Sequence, residues 1–261
     1  MNIIVDADWL TSHIEDENLT IIDSRGIMPF RFSHIKNAIP MSVENVISID
    51  ENGSHLVIAP HVAEQIFTDM GIDDTKLVIV YGDYPDPSLA RIVWTLIYFG
   101  HKNVKILDIG FENWVHMGYP ITTDHKSKNS ATESNKGFVA RINATERADA
   151  QLIYEEKYKP ETIIIDARSP QEHFQARIPG SILHNYEEGF GDRGKMIKDV
   201  EILRQDFEKI GITKDKQIIC YCHSGIRAAH TYLQLKQAGF EKVRLYDGSI
   251  IDWAKRKYPL R

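Results

Sequence analysis

The feature that most constrains this chain is a long internal repeat. Five short segments recur in the same order in its two halves. The paired segments are 21–25 with 165–168, 34–39 with 177–182, 77–81 with 217–221, 107–114 with 246–253, and 119–120 with 258–259. The offset between the halves changes little, from 166 − 23 = 143 at Asp23 to 253 − 114 = 139 at Trp114. A repeat of this length predicts two similar domains rather than a solenoid of short units.

The repeat also predicts the domain organisation. A chain of 261 residues with 43% hydrophobic content can form two ordinary cores. Segment 122–136 is polar and has no apolar periodicity, which is typical of a linker. We therefore predict one domain over 1–121, a linker over 122–136 and a second domain over 137–261.

Within each half, short β-branched runs alternate with segments of helical spacing. In the second half the predicted strands are 162–166, 181–185, 217–222 and 242–247, and the intervening segments 200–210 and 227–238 have helical periodicity. This alternation predicts an α/β fold, in which a mostly parallel sheet has helices on both faces. Ligand sites in such sheets lie at the carboxyl ends of the strands.

Cys222 stands at such a carboxyl end. An apolar strand leads up to it, a tight loop with Gly225 follows, and a helical pattern opens at Arg227. Loop amides and the positive end of a helix dipole favour the thiolate form of a cysteine so placed. Cys220 lies inside the strand, and we interpret it as a buried, inert thiol. The sequence therefore predicts a reactive thiol at Cys222.

Composition and charge exclude several classes of function. The formal net charge of −6 gives no reason to expect a nucleic-acid partner. No apolar run approaches the ~20 residues that span a bilayer, and the N-terminus lacks the pattern of a signal peptide, so no membrane association is expected. The only two cysteines are spaced Cys-x-Cys, which predicts neither a disulfide framework nor a zinc site. Together these features favour the reducing cytoplasm.

Three parts of the second half resemble the rhodanese family of sulfurtransferases in its two-domain form. These are Asp166-Ala-Arg-Ser with Arg177-Ile-Pro-Gly-Ser, the six-residue loop Cys222–Arg227, and Asp247-Gly-Ser with Trp253. The resemblance implies that the Cys222 thiolate takes the outer sulfur of a small anionic donor as a persulfide. It then passes that sulfur to a thiol or cyanide-like acceptor, with no cofactor or metal.

A ring of loop amides suits this chemistry, because the terminal sulfur of a persulfide is negative. The predicted persulfide loop comprises His223, Ser224, Gly225, Ile226 and Arg227. The first half has no cysteine, and its matching segment 81–88 is longer and contains two prolines. The first half is therefore predicted to be a catalytically inactive copy that shapes one wall of the site.

The resemblance leaves the donor open between thiosulfate and 3-mercaptopyruvate. Serine at Ser224 resembles the mercaptopyruvate type, in which it is linked to a histidine and an acid of the first domain. Alignment places these at His55 and Glu44, which would form a proton relay with Ser224. The alternative interpretation is an ordinary loop histidine and a surface acid.

The chain also departs from the family pattern. The family holds the donor's anionic group with an arginine where this chain has Glu172, which lies in a predicted capping box that starts at Ser169. Arg227 stands where both donor types have a small hydroxyl residue. The positive charge for the donor could come from Arg227, or from Arg193 or Lys195, although each is also typical of a solvated surface residue.

Two other functions remain as hypotheses. Phosphatases of the related cysteine-loop class have five residues between cysteine and arginine, whereas four lie between Cys222 and Arg227. The smaller loop favours a single sulfur atom over a phosphoryl group. The second hypothesis is a persulfide carrier that exchanges sulfur with a protein partner and does not turn over small donors.

Overall fold

The computed structural model describes residues 2–124 and 136–261. Most of the predicted linker, residues 125–135, therefore lies outside the described residues. The chain forms two α/β units, each built on a five-stranded parallel sheet. Among the described residues, no helix combines the length and the apolar character that crossing a bilayer requires.

The first half contains seven strands and five helices. The strands are β1 (Ile4–Val5), β2 (Leu19–Asp23), β3 (Ala38–Pro40), β4 (Ile47–Ile49), β5 (His55–Val57), β6 (Leu77–Tyr81) and β7 (Val104–Leu107). The helices are α1 (Ala7–His13), α2 (Ile27–Phe32), α3 (Pro60–Asp69), α4 (Ser88–Tyr98) and α5 (Phe111–His116), and a 3₁₀ turn spans Val43–Val46.

The second half repeats the pattern with five strands and five helices. The strands are β8 (Arg147–Ala148), β9 (Thr162–Asp166), β10 (Ile182–Leu183), β11 (Gln217–Tyr221) and β12 (Val243–Tyr246). The helices are α6 (Ala150–Glu156), α7 (Pro170–Gln175), α8 (Val200–Lys209), α9 (Ile226–Gln237) and α10 (Ser249–Lys255). Three 3₁₀ turns span Ala144–Glu146, Tyr186–Gly189 and Asp192–Gly194.

The two sheets have the same topology. The strand order is β1-β7-β6-β2-β3 in the first and β8-β12-β11-β9-β10 in the second, and every pair in both sheets is parallel. The central strands have matching registers, with Asp23 opposite Tyr81 and Asp166 opposite Tyr221. The predicted α/β fold of two similar units is confirmed.

Three predicted strands end earlier than the sequence suggested, and for β12 the difference is one residue, since it ends at Tyr246. β10 covers only Ile182–Leu183 of the predicted 181–185, because the side chain of Asn185 accepts from Glu187 N–H and starts a 3₁₀ turn. β11 ends at Tyr221, so Cys222 lies in the loop rather than in the strand. Cys222 therefore lies outside the hydrogen-bonded part of the sheet, between β11 and α9.

Helices α4 and α9 pack against each other and join the two units. Every residue of α4 from Leu89 to Tyr98 is buried, because the helix lies between its own sheet and α9. Such helices are apolar on all sides. One apolar cluster contains Trp94 of α4 and Leu233 of α9, so the units share a core.

The antiparallel hairpin β4–β5 of the first unit also contacts the second. Ser54 Oγ donates to Asp252 Oδ1 at 3.0 Å, and Val57 N–H donates to Asp247 Oδ2 at 2.8 Å. Asp247 lies just before α10 and Asp252 lies within it, and α10 contacts the loop that contains Cys222. The hairpin therefore forms part of the wall around that loop.

Candidate active site

Cys222 is the first residue after β11 and lies at the carboxyl end of a central strand. Residues 222–225 then connect this strand to α9, which begins at Ile226. Cys220 lies within β11, and burial raises its pKa far above the usual range of a thiol. Cys220 therefore stays protonated at neutral pH, whereas Cys222 occupies the loop position that suits chemistry.

The sulfur of Cys222 accepts a hydrogen bond from the backbone of its own loop. Gly225 N–H donates to Cys222 Sγ at 3.1 Å, and Ser249 Oγ lies 4.0 Å from the same sulfur. Ser249 Oγ also accepts from the N–H of Cys222 at 3.0 Å, which fixes the loop to the start of α10. The first N–H groups of α9 have no acceptor within the helix and carry partial positive charge. This arrangement stabilises an anionic sulfur.

Gly225 is required by the shape of the loop. Its φ of +86° lies in the left-handed region that favours glycine. A Cβ at this position would lie 2.5 Å from the carbonyl oxygen of Asp247 and would also collide with Nη1 of Arg91. The loop thus closes around the sulfur only because no side chain is present here.

The carboxylate of Asp247 connects the two halves beneath the loop. It is fully buried and accepts hydrogen bonds from Arg147 Nε and from Val57 N–H, both at 2.8 Å. Nη2 of Arg91 lies 3.7 Å from Oδ2 of the same carboxylate. Charged side chains from both halves, Arg91 from the first and Arg147 and Asp247 from the second, therefore lie next to the Cys222 loop.

Arg91 is a site residue that the sequence analysis missed. It projects from α4 of the first half, is 0% exposed, and stacks with its guanidinium carbon 4.8 Å from the centre of the Trp94 ring. Within the described part of the chain, none of its side-chain nitrogens has a hydrogen-bond partner. The available signal was an arginine inside a helix that has no polar face.

Arg227 pairs with Glu172. Its Nη1 and Nη2 donate to the two carboxylate oxygens at 2.7 and 2.8 Å, a bidentate geometry. The hydrogen bonds from Arg227 lower the pKa of Glu172 to about 2, although partial burial opposes the shift. Glu172 also completes the predicted capping box with Ser169. Glu172 thus binds Arg227 and at the same time caps α7.

Among the described residues, no hydrogen bond joins the members of the hypothetical relay. His55, in β5, lies close enough to His223 for its charge to act on that ring, whose pKa is lowered mainly by burial. Glu44 is exposed and accepts from the hydroxyl of Ser42. Within residues 2–124 and 136–261, no hydrogen bond joins Ser224, His55 and Glu44.

Arg193 and Lys195 lie in the contact between the two halves. The carbonyl of Arg193 accepts from Asn113 Nδ2 at 3.0 Å. The ammonium of Lys195 lies 3.2 Å from Asp199 and 4.0 Å from Asp108. Two carboxylates therefore already offset the charge of Lys195. The hydrogen bond between Arg193 and Asn113 joins the two halves.

Comparisons with known proteins agree with this geometry. The family model of the rhodanese-like domain matches twice, over residues 6–117 and 149–256. The sulfur carrier protein TtuD of Thermus thermophilus is 27% identical over 276 residues, which cover 96% of this chain and 93% of that protein. The 3-mercaptopyruvate sulfurtransferase of Escherichia coli is 28% identical over 275 residues, which cover 97% and 95% of the two chains.

Solved structures show the same fold. The crystal structure of YnjE superposes with a TM-score of 0.87 at 19% identity and covers 99% of this chain and 68% of that one. Both halves of the chain thus match the same family model, and the relatives match over nearly the whole chain. The chain belongs to the rhodanese-like domain family and carries two copies of that domain.

Proposed function

We propose that this protein is a sulfurtransferase that moves a sulfane sulfur from a small donor to a thiophilic acceptor through a persulfide on Cys222. The observation that carries the proposal is the hydrogen bond from Gly225 N–H to Cys222 Sγ at the start of α9. A helix N-terminus and loop amides favour a negative sulfur, and the loop is short for a phosphoryl group. Membership of the rhodanese-like family also favours sulfur transfer over the phosphatase hypothesis.

The proposed reaction has two steps, transfer of sulfur from the donor to Cys222 and transfer from Cys222 to the acceptor. The Cys222 thiolate attacks the outer sulfur of the donor, a new S–S bond forms, and the bond between that sulfur and the rest of the donor breaks. The electron pair leaves with the donor remnant, as sulfite from thiosulfate or as the enolate of pyruvate, which then takes a proton, from 3-mercaptopyruvate. An acceptor nucleophile next attacks the terminal sulfur, and the electron pair of the S–S bond returns to Cys222 as thiolate.

The negative group of the donor needs a positive partner at the mouth of the site. We assign this role to Arg227, which lies in the first turn of α9, directly after the loop, and whose guanidinium is oriented by Glu172. Glu172 offsets part of that charge, so donor binding should be weaker than a free arginine would give. If the donor is 3-mercaptopyruvate, His55 is our candidate for delivering the proton that the leaving enolate needs, since its charge acts on the ring of His223 in the loop.

The proposed division of labour follows the repeat. Residues 137–261 form the catalytic domain, and residues 1–121 form an inactive domain that supplies a wall and buried charge, with the linker of 122–136 between them. A reducing compartment such as the cytoplasm suits the protein, because both cysteines are free thiols.

A persulfide carrier is the second candidate. It is favoured by Glu172, which stands where the family holds an anionic donor and which already binds Arg227. A relative of 27% identity, TtuD of Thermus thermophilus, is named a sulfur carrier protein. In this case a partner protein would load Cys222, and small donors would load it slowly.

Intact-protein mass spectrometry after separate incubation with thiosulfate and with 3-mercaptopyruvate tests the proposal. We expect a gain of one sulfur, mapped to Cys222, from one of the two donors. Cys222→Ser should abolish the gain, whereas Cys220→Ser should leave most of it, because burial keeps the Cys220 thiol protonated.

The control outcomes separate the alternatives. Equal loss from the two substitutions would indicate a dithiol mechanism. No gain from either donor would refute the small-donor enzyme. Loading of Cys222 by a protein persulfide alone would then establish the carrier.

A further inference from the structure

The buried guanidinium of Arg91 reaches the active loop from the half of the chain that has no cysteine. Its Nη1 occupies the space where a side chain on Gly225 would lie, and Gly225 N–H donates to the Cys222 sulfur at 3.1 Å. Arg91 lies close enough to Cys222 for a charge on that sulfur to act on it. The cation therefore lies directly behind the persulfide loop.

A buried guanidinium is costly unless an anion compensates it. Arg91 is 0% exposed, and in the described part of the chain its three nitrogens lack hydrogen-bond partners. Arginine keeps its proton in proteins, so the charge is present even though burial lowers the pKa of Arg91. Some nearby negative group must therefore offset it.

Asp247 offsets only part of this charge. Its Oδ1 accepts from Arg147 at 2.8 Å and its Oδ2 accepts from Val57 N–H at 2.8 Å, while Arg91 Nη2 lies 3.7 Å from Oδ2. Two guanidinium groups thus share this carboxylate, although Asp149 also acts on the more exposed Arg147. Arg91 is the one that lies against Gly225, and an anionic sulfur on Cys222 is a group that would offset its charge.

We propose that Arg91 is a positioning residue that supplies the buried positive charge for the anionic sulfur of Cys222, first as thiolate and then as persulfide. It acts through Gly225 and the loop rather than by touching the donor. The persulfide part rests on the proposed function, whereas the thiolate part does not. The inactive half would then contribute to the chemistry electrostatically.

The experiment is a pH titration of the ultraviolet thiolate absorbance of the full chain, with Cys222→Ser as the baseline. In Arg91→Met, the Cys222 transition should move to higher pH by about one unit or more, as expected when an opposite charge at a few ångströms is removed. Arg91→Lys keeps a positive charge, so the transition should stay close to its position in the unmodified protein. Sulfur transfer is not needed for this readout, so a failure of the proposed function would leave it intact.

Arg147→Met is the matched control. It removes the closer partner of Asp247 but does not contact the loop. We expect a smaller shift than in Arg91→Met. Equal shifts in the two variants, or no shift in Arg91→Met, would overturn the proposal and leave Arg91 with only a structural role in the domain contact.

A measurement on the unmodified protein keeps the proposal testable if Arg91→Met does not fold. Added salt screens exposed charges but acts weakly on buried ones. The thiolate transition should therefore stay in place from low to high ionic strength. A clear shift to higher pH with salt would assign the stabilising charge to the more exposed Arg227 and would overturn the role of Arg91.

Discussion

The two strand-to-helix junctions of this chain have the same frame but different contents. In each half a tyrosine ends the strand and donates to a buried aspartate, from Tyr81 to Asp23 at 2.6 Å and from Tyr221 to Asp166 at 2.8 Å. An arginine two residues after each aspartate pairs with it in the same geometry. The scaffold that holds the Cys222 loop is therefore also present in the half that has no thiol.

The two halves differ in the residues that directly follow these tyrosines. Gly82 follows Tyr81, and a side chain there would collide with the hydroxyl oxygen of Ser24. In the repeat, Ala167 aligns with Ser24 and leaves space for the side chain of Cys222. The loop of the first half also carries Asp83, and burial raises the pKa of that carboxyl. The first half therefore has neither the thiol nor the room for it.

The long buried helices differ in a complementary way. The offset 247 − 108 = 139 that aligns the two aspartates after the last strands also aligns Arg91 of α4 with His230 of α9. His230 donates from Nε2 to Met196 O at 3.0 Å and accepts at Nδ1 from Gln234 at 2.7 Å, which only the neutral ring can do. Arg91 thus reaches from its own half to the loop of the other, whereas these hydrogen bonds hold the neutral ring of His230 within its own half.

The largest expected effect comes from filling the active loop. Gly225→Ala should lower the free energy of unfolding by about 3–5 kcal/mol, because it combines strain at positive φ with two collisions. Sulfur loading should be lost as well. Urea unfolding and mass spectrometry would measure both effects.

Gly211→Ala is the control, because Gly211 has a similar φ of +85° but nothing within 4 Å of the added Cβ. It should cost only about 1–2 kcal/mol of backbone strain. Equal costs for the two variants would show that the contacts of Gly225 with Arg91 and Asp247 have no energetic weight.

The next effect is a pH dependence of stability that comes from His230, the counterpart of Arg91 in the second half. Burial lowers the pKa of His230 to about 4, compared with 6.5 in the unfolded chain. The unfolded state therefore binds more protons between these values, and stability should fall by about 3 kcal/mol as pH decreases from 6.5 to 4. At higher pH this contribution is fully present.

Urea unfolding at several pH values measures this dependence. His230→Gln keeps a donor at this position but cannot titrate, so its stability should depend less steeply on pH by about one proton in this window. An unchanged slope would mean that His230 is not held neutral and that other histidines cause the loss.

The smallest expected effect is on the junction of the first half, which has no cysteine. Gly82→Cys should gain no sulfur from either donor, because Ser24 occupies the space for its side chain and the loop lacks the amide geometry of Gly225. Loading at Cys222 should be unchanged, as read by peptide mapping. Adding Ser24→Ala relieves the collision and should still give no loading. A second loaded sulfur in either variant would show that the frame alone is sufficient.

Much of the architecture followed from local patterns in the sequence. The strands and helices of the second half lie within a few residues of their predicted limits, since apolar periodicity and the turn residue Gly225 act over short distances. The position of Cys222 at the end of a central strand and the capping box at Glu172 were predictable for the same reason. The repeat itself predicted that both halves would share one topology.

The sequence determined the two α/β units, the loop after β11 and the cysteine within it, because each depends on neighbours along the chain. Only the tertiary structure decided which groups meet around the sulfur. Arg91 is 131 residues from Cys222 in the sequence, by 222 − 91, and Glu172 is 55 residues from Arg227. Such pairs form because α4 packs on α9 and α7 lies beside the loop, and the periodicity of a single segment carries no information about that packing.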